Sequence, residues 1–179
     1  MSSGVVRVLI LTSCFYKSIK IMSASEELFF QLKKDKYFQL WCSSSEQNKI
    51  FKFFDYISIF LKHGKSASVS IVDINSGRQF LWAFQNVLLS NLFGLRILAV
   101  IHGGGFIEMH KKHSRLVNIL LQLTDVISSP SKIISEYINK NFTKRCHELP
   151  NGIDCKQYAI TRERHPPDFL YVRGYHDIY

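Results

Sequence analysis

Arg96-Ile-Leu-Ala-Val-Ile101, followed by His102-Gly-Gly-Gly-Phe106, is a β-branched apolar run that breaks into glycines. The run predicts a strand, the glycines a tight connection, and residues 108–123 beyond them a helix. In open α/β sheets ligands bind in the crevice at the carboxyl ends of the strands. Backbone amides of a glycine loop there can meet anionic oxygens without side-chain obstruction, and a following helix N-terminus adds a favourable dipole. His102, Gly103, Gly104 and Gly105 are therefore the first candidate site, with a plain strand-to-helix turn as the simpler alternative.

The same alternation extends outward in both directions. Upstream, Val5-Val-Arg-Val-Leu-Ile-Leu-Thr12 has the nearly continuous apolar pattern of a strand buried on both faces of a parallel sheet. Residues 25–34 open with a capping-type serine, carry acids in the first turn and lysines in the last, and predict a helix. Strands over 37–42 and 69–73 and a helix over 79–93, punctuated by Gly94, complete that half. Downstream, 125–128 predicts a strand, 130–139 a helix opened by Pro130, and 145–149 a last strand. Alternating strands and helices predict an α/β fold, a Rossmann-like doubly wound parallel sheet with right-handed crossovers.

Residues 49–63 place Ile50, Phe53, Phe54, Ile57 and Leu61 at helical spacing, with Lys49, Lys52 and Lys62 on the remaining surface and Gly64 at the end. Two readings of this basic amphipathic helix stand side by side. In the simpler one the apolar face packs on the sheet while the lysines meet water. In the other, Lys49, Lys52, Phe53, Phe54 and Lys62 contact an anionic membrane surface or a lipid acceptor. Lys111, Lys112, His113 and Arg115 form a second basic cluster near the glycine loop, suited to acceptor phosphates or to water.

Composition narrows the classes. With 179 residues, 46% hydrophobic and 21% charged, the chain can bury a core, and its length suits one domain or slightly more. A net charge of +9 favours an anionic partner. Nucleic acid is not the expected one: neither a GxGxxG after the first strand nor a GxxxxGK[ST] occurs, and the basic residues are not interleaved with stacking aromatics. Cys14, Cys42, Cys146 and Cys155 have no metal-ligand spacing and read as reduced, mostly buried thiols of a cytoplasmic protein, with no metal and no cofactor called for. The first apolar run is a poor signal peptide, and no apolar stretch approaches the ~18 residues of a membrane span.

The string His-Gly-Gly-Gly also resembles the oxyanion loop of lipases and esterases, but that chemistry needs a GxSxG nucleophile elbow, which this sequence lacks. Leu149-Pro-Asn-Gly-Ile-Asp154 is physically a turn, since proline fixes one dihedral and Asn-Gly tolerates positive φ. In context it resembles the "PNGVD" element of family 4 glycosyltransferases. The resemblance covers nearly the whole chain. The opening strand, Val100-Ile-His-Gly-Gly104, Thr124-Asp-Val-Ile-Ser-Ser-Pro-Ser131, the Asn-Gly-Ile-Asp turn and Leu170-Tyr-Val-Arg-Gly-Tyr-His176 stand in that family's order.

The resemblance implies one half of a GT-B fold, with retaining transfer of a sugar from a nucleotide-sugar to a sugar, lipid-linked or polysaccharide acceptor without a bound metal. It implies an acceptor-side domain over 1–155, a linker over 156–167 and the first strand of a donor-binding domain over 168–179. His102 takes the place of a catalytic histidine near the transferring sugar. Gly103, Gly104, Gly105, Ser129, Ser131, Asn151, Gly152, Asp154 and His176 take places along the cleft. The family's E-x7-E donor clamp does not occur in the sequence, and residues 13–25 lack the family's glycine loop. The implied activity therefore depends on a donor-binding domain or subunit, with the protein cytoplasmic or peripheral at the inner face of the membrane. The alternatives are an interaction subunit completed by a separate donor-binding chain and a nucleotide- or nucleic-acid-binding Rossmann module.

Overall fold

Six apolar runs pair side by side into one sheet: β1 (Val6–Leu11), β2 (Phe38–Cys42), β3 (Val69–Ile74), β4 (Arg96–Ile101), β5 (Val126–Ser129) and β6 (Cys146–Glu148). The computed structural model describes residues 5–11, 24–42 and 48–151. Among these the strand order is β2-β1-β3-β4-β5-β6, and every neighbouring pair is parallel. Helices α1 (Ala24–Lys33), α2 (Lys49–His63), α3 (Phe80–Leu92), α4 (Phe106–Lys112), α5 (Ser114–Leu123) and α6 (Lys132–Asn141) fill the connections. The result is a Rossmann-like, doubly wound α/β sheet.

Strand order and handedness distribute the helices. The chain steps from β1 to β2 in one direction and in the opposite direction at every later crossover. Right-handed connections then put α1 on one face and α2 to α6 on the other. The cores agree with this. Phe29 and Leu32 of α1 pack with Val8, Ile10 and Ile71. Tyr56 and Phe60 of α2, Phe80 and Val87 of α3, Val117 of α5 and Ile134 of α6 share a larger core with Leu9, Leu11, Val72 and Ile74. Alternate side chains of β1 thus feed opposite cores, as the two-residue period of a strand requires. Fully burying one such aliphatic side chain is worth roughly 1.5–3 kcal/mol, and Leu9, Ile10, Ile74 and Ile101 are all completely buried. Val6 and Arg7 at the start of β1 are exposed, and the four residues after them are enclosed.

Element ends follow local chemistry. Asn48 caps α2, its Oδ1 accepting from the Ile50 amide at 2.9 Å. Gly94 ends α3 at φ +68°, and the Leu95 amide reaches back to the Ser90 carbonyl at 2.9 Å. Gly64 acts differently. Its backbone stays right-handed, and the glycine is needed for space, since a Cβ would lie 2.5 Å from the Phe60 carbonyl oxygen and 2.6 Å from the Phe93 ring.

Four expectations are corrected. The single helix predicted over 108–123 is two, α4 and α5, meeting where His113 leaves the helical region at φ −131° and ψ 46°. The buried face of α2 is Lys52, Tyr56 and Phe60, whereas Ile50, Phe53, Phe54 and Leu61 are exposed. Lys52, placed on the surface by the pattern, is only 7% exposed; its Nζ lies 5.9 Å from the centre of the Tyr56 ring and burial lowers its pKa. Cys42 is disulfide-bonded where a reduced thiol was predicted, because spacing along a chain does not say which sulfurs meet. Cys146 is the buried free thiol among the described residues, its pKa raised by burial. The predicted linker over 156–167 and strand within 168–179 lie outside the described residues.

Candidate functional site

The carboxyl ends of β3 and β4 bring the candidate histidine to a partner that sequence patterning did not single out. Register pairs Ile74 with Ile101, so Asp73 near the end of β3 and His102 just after β4 come together. His102 Nε2 lies 3.3 Å from Asp73 Oδ1, with the two side chains 19% and 9% exposed. The His102 amide also donates to the Ile74 carbonyl at 2.9 Å, fixing where the loop begins. An ionised carboxylate only accepts hydrogen bonds, so this contact places the proton of a neutral imidazole on Nε2 and leaves the Nδ1 lone pair for another group. The signal for Asp73 was available in the strand itself, since an acid inside Val69-Ser-Ile-Val-Asp-Ile74 needs a partner once the strand is half-buried.

The three loop glycines serve three purposes. Gly103 sits at φ +87°, a conformation that L side chains rarely adopt. Gly105 allows the loop after β3 to approach, because a Cβ there would lie 2.6 Å from Ser76 Oγ. Gly104 is under neither constraint, and a Cβ would project into open space. Among the described residues no acceptor takes the amide hydrogens of Gly103, Gly104 or Gly105, so the loop offers backbone donors. Helix α4 behind the loop spans seven residues.

On the outer side of this loop lies a cavity of about 560 Å³, lined in part by Ser76, Arg78, Gly105, Glu108, Lys112 and His113. His102 is not in its lining. Arg78 and Lys112 give it two cations with Glu108 between the same walls. A smaller pocket of about 20 Å³ is lined in part by Asp73, Asn75, Gln79 and Asn86, together with Leu11, Tyr56 and Trp82, and the buried Asn86 Oδ1 has no hydrogen-bond partner among the described residues.

The other predicted residues are placed as follows. Ser129 is fully buried, its hydroxyl donating to the Ile101 carbonyl at 2.9 Å and accepting from the Ser131 amide at 3.2 Å. It stitches β5 to β4 from behind the cleft surface. Ser131 precedes α6 and makes no side-chain capping bond. Asn151 is exposed beyond β6, on the same edge of the sheet. Gly152, Asp154 and His176 lie outside the described residues. Lys49 and Phe53 line a separate groove between α2 and α3, and Phe54 and Lys62 are exposed on α2.

Among the described residues no three His, Cys, Asp or Glu side chains are grouped as a metal site, and no helix is long and apolar enough to cross a membrane. No protein-family model, curated protein or solved structure matches the chain.

Proposed function

We propose that this chain forms the acceptor side of a two-domain, GT-B-type retaining glycosyltransferase, passing a sugar from a nucleotide-sugar to a lipid-linked or polysaccharide acceptor. The observation that carries the proposal is His102, held by Asp73 at 3.3 Å beside a glycine loop at the carboxyl edge of a parallel sheet. That edge is where open α/β sheets place their ligands.

In this reading His102 orients the acceptor or the transferring sugar through Nδ1, while Asp73 fixes the ring. Glycosyl transfer develops positive charge on the sugar and negative charge on the departing diphosphate, and a preorganised cleft stabilises both. The open amides of the glycine loop offer hydrogen-bond donors to acceptor oxygens, and Arg78 and Lys112 suit a phosphate-bearing acceptor in the adjoining cavity. A donor-binding domain, covalently joined or separate, supplies the opposite wall, so both reactants meet in one geometry.

The test is acceptor binding followed by amide NMR. A short-chain, water-soluble lipid diphosphate-sugar should shift the resonances of Ser76, Arg78 and His102 to Gly105, and a nucleotide-sugar alone should leave them in place. The reverse pattern would assign the loop to the donor and overturn the acceptor-side reading.

A further inference from the structure

Helix α2 turns its most hydrophobic stripe away from the sheet. Ile50, Phe54, Ile57 and Leu61 follow one another at i, i+4, i+7 and i+11, and Phe54 and Leu61 are 61% and 70% exposed. Helix α3 repeats the arrangement with Leu81, Leu88 and Leu92 at i, i+7 and i+11, of which Leu81 and Leu92 are 66% and 78% exposed. The two helices are neighbours, and an apolar groove of about 710 Å³ runs between them past Phe53, Trp82 and Leu89. Two parallel outward stripes with a groove between them form a contiguous patch, unlike the scattered single apolar residues of an ordinary surface.

Charge decides what covers this patch. Helix α3 carries no charged residue along its whole length, and α2 carries one acid, Asp55. Cations stand at both ends: Lys49 and Arg78 line the groove at the end nearer the glycine loop, and the exposed Lys62 and Lys65 stand at the other. The chain as a whole has a net charge of +9. An apolar, aromatic surface bracketed by cations is the pattern of helices lying in the plane of a membrane interface, with side chains among acyl chains and cations at anionic headgroups. We propose that the α2–α3 face docks this protein on an anionic bilayer surface. Arg78 and Leu81 line both the groove and the cavity beside the glycine loop, so the docking face opens directly onto the candidate acceptor cavity. The docking itself requires no sugar transfer, and its failure would leave the proposed function standing.

The experiment is co-sedimentation of the full chain with vesicles of phosphatidylcholine alone and of phosphatidylcholine with phosphatidylglycerol, together with Trp82 fluorescence in a Trp41→Phe background. The expected result is binding to the anionic vesicles at least tenfold tighter than to the neutral ones, weakened by salt, with a blue shift of Trp82. Phe54→Ser combined with Leu81→Ser should lower binding at least tenfold with an unchanged circular dichroism spectrum and melting curve. Ile133→Ser, an exposed position on α6, should leave binding unaltered. Equal binding to both vesicles, or binding untouched by the double substitution, would overturn the proposal. So would a concentration-dependent dimer abolished by Phe54→Ser in a chain that ignores vesicles, because a second copy would then be the occupant.

Discussion

His102 and Asp73 reach each other only because β3 and β4 are hydrogen-bonded in a register that ends both strands together. The contact sets the tautomer of the ring, and that is measurable without any activity. Two-bond proton–nitrogen spectra should show neutral His102 protonated on Nε2 in the native chain and a mixture of tautomers in Asp73→Asn. In a chain joined to a donor-binding domain the same substitution should slow transfer about a hundredfold through misplacement of the ring. An unchanged tautomer in Asp73→Asn would remove Asp73 from the site. The glycines separate structure from function in the same way. Gly103→Ala, forced to hold φ +87°, should destabilise the fold by about 1–2 kcal/mol in urea titration. Gly104→Ala adds a methyl to open space, so stability should stay within about 0.5 kcal/mol while acceptor affinity falls.

At the scale of elements, what was legible in the sequence depended on whether a pattern had one physical solution. The bounds 96–101 match β4 residue for residue, because a short β-branched run bounded by Gly94 and Gly103 has no competing helical reading. Helix α2 was legible as a helix but not in its orientation. It is apolar on more than one side, and periodicity alone cannot tell that Tyr56 and Phe60 go inward while Phe54 goes outward. The bend at His113 left no mark either. The backbone bonds from His113 to Met109 at 2.8 Å and from Val117 to His113 at 3.1 Å continue across it, and so does the apolar pattern. His102 and the glycines were legible because they sit at a strand end. Asp73 was legible only as an acid in a half-buried strand that needs a partner; that His102 is the partner depends on which strands are neighbours.

Two tests belong to this scale. Gly64→Ala should cost about 1–3 kcal/mol, since the added methyl meets the Phe60 carbonyl and the Phe93 ring where α2 turns toward β3. His110 ties α4 to α6 through its Nδ1, 2.8 Å from the Tyr137 hydroxyl, and it packs on Phe142. Burial holds its pKa below the ordinary value of 6.5. A depressed histidine pKa means that the unfolded chain binds the proton more readily, so the stability due to His110 is fully present above about 6.5 and is lost as pH falls through the folded value. The difference in urea midpoint between the native chain and His110→Phe should therefore change as pH is lowered from 7.5 to 5. A gap constant with pH would show that this imidazole does not titrate differently on folding.

For the whole molecule, one sheet divides the labour. Its carboxyl edge carries the Asp73–His102 pair and the glycine loop, and the face built by α2 and α3 carries the apolar stripes with cations at their ends. Arg78, just before α3, belongs to both the cavity and the groove and links the two regions. Under the proposed function, a lipid-linked acceptor would lie with its phosphate at Arg78 and its tail toward α2 and α3. The most direct measurement is sugar transfer from a panel of nucleotide-sugars to lipid-linked acceptors, comparing the chain alone with the chain joined to a family 4 donor-binding domain. Transfer is expected only from the joined protein, reduced about a hundredfold in His102→Ala through loss of the orientation that the ring supplies. Transfer by the joined protein that is indifferent to His102→Ala would contradict this expectation.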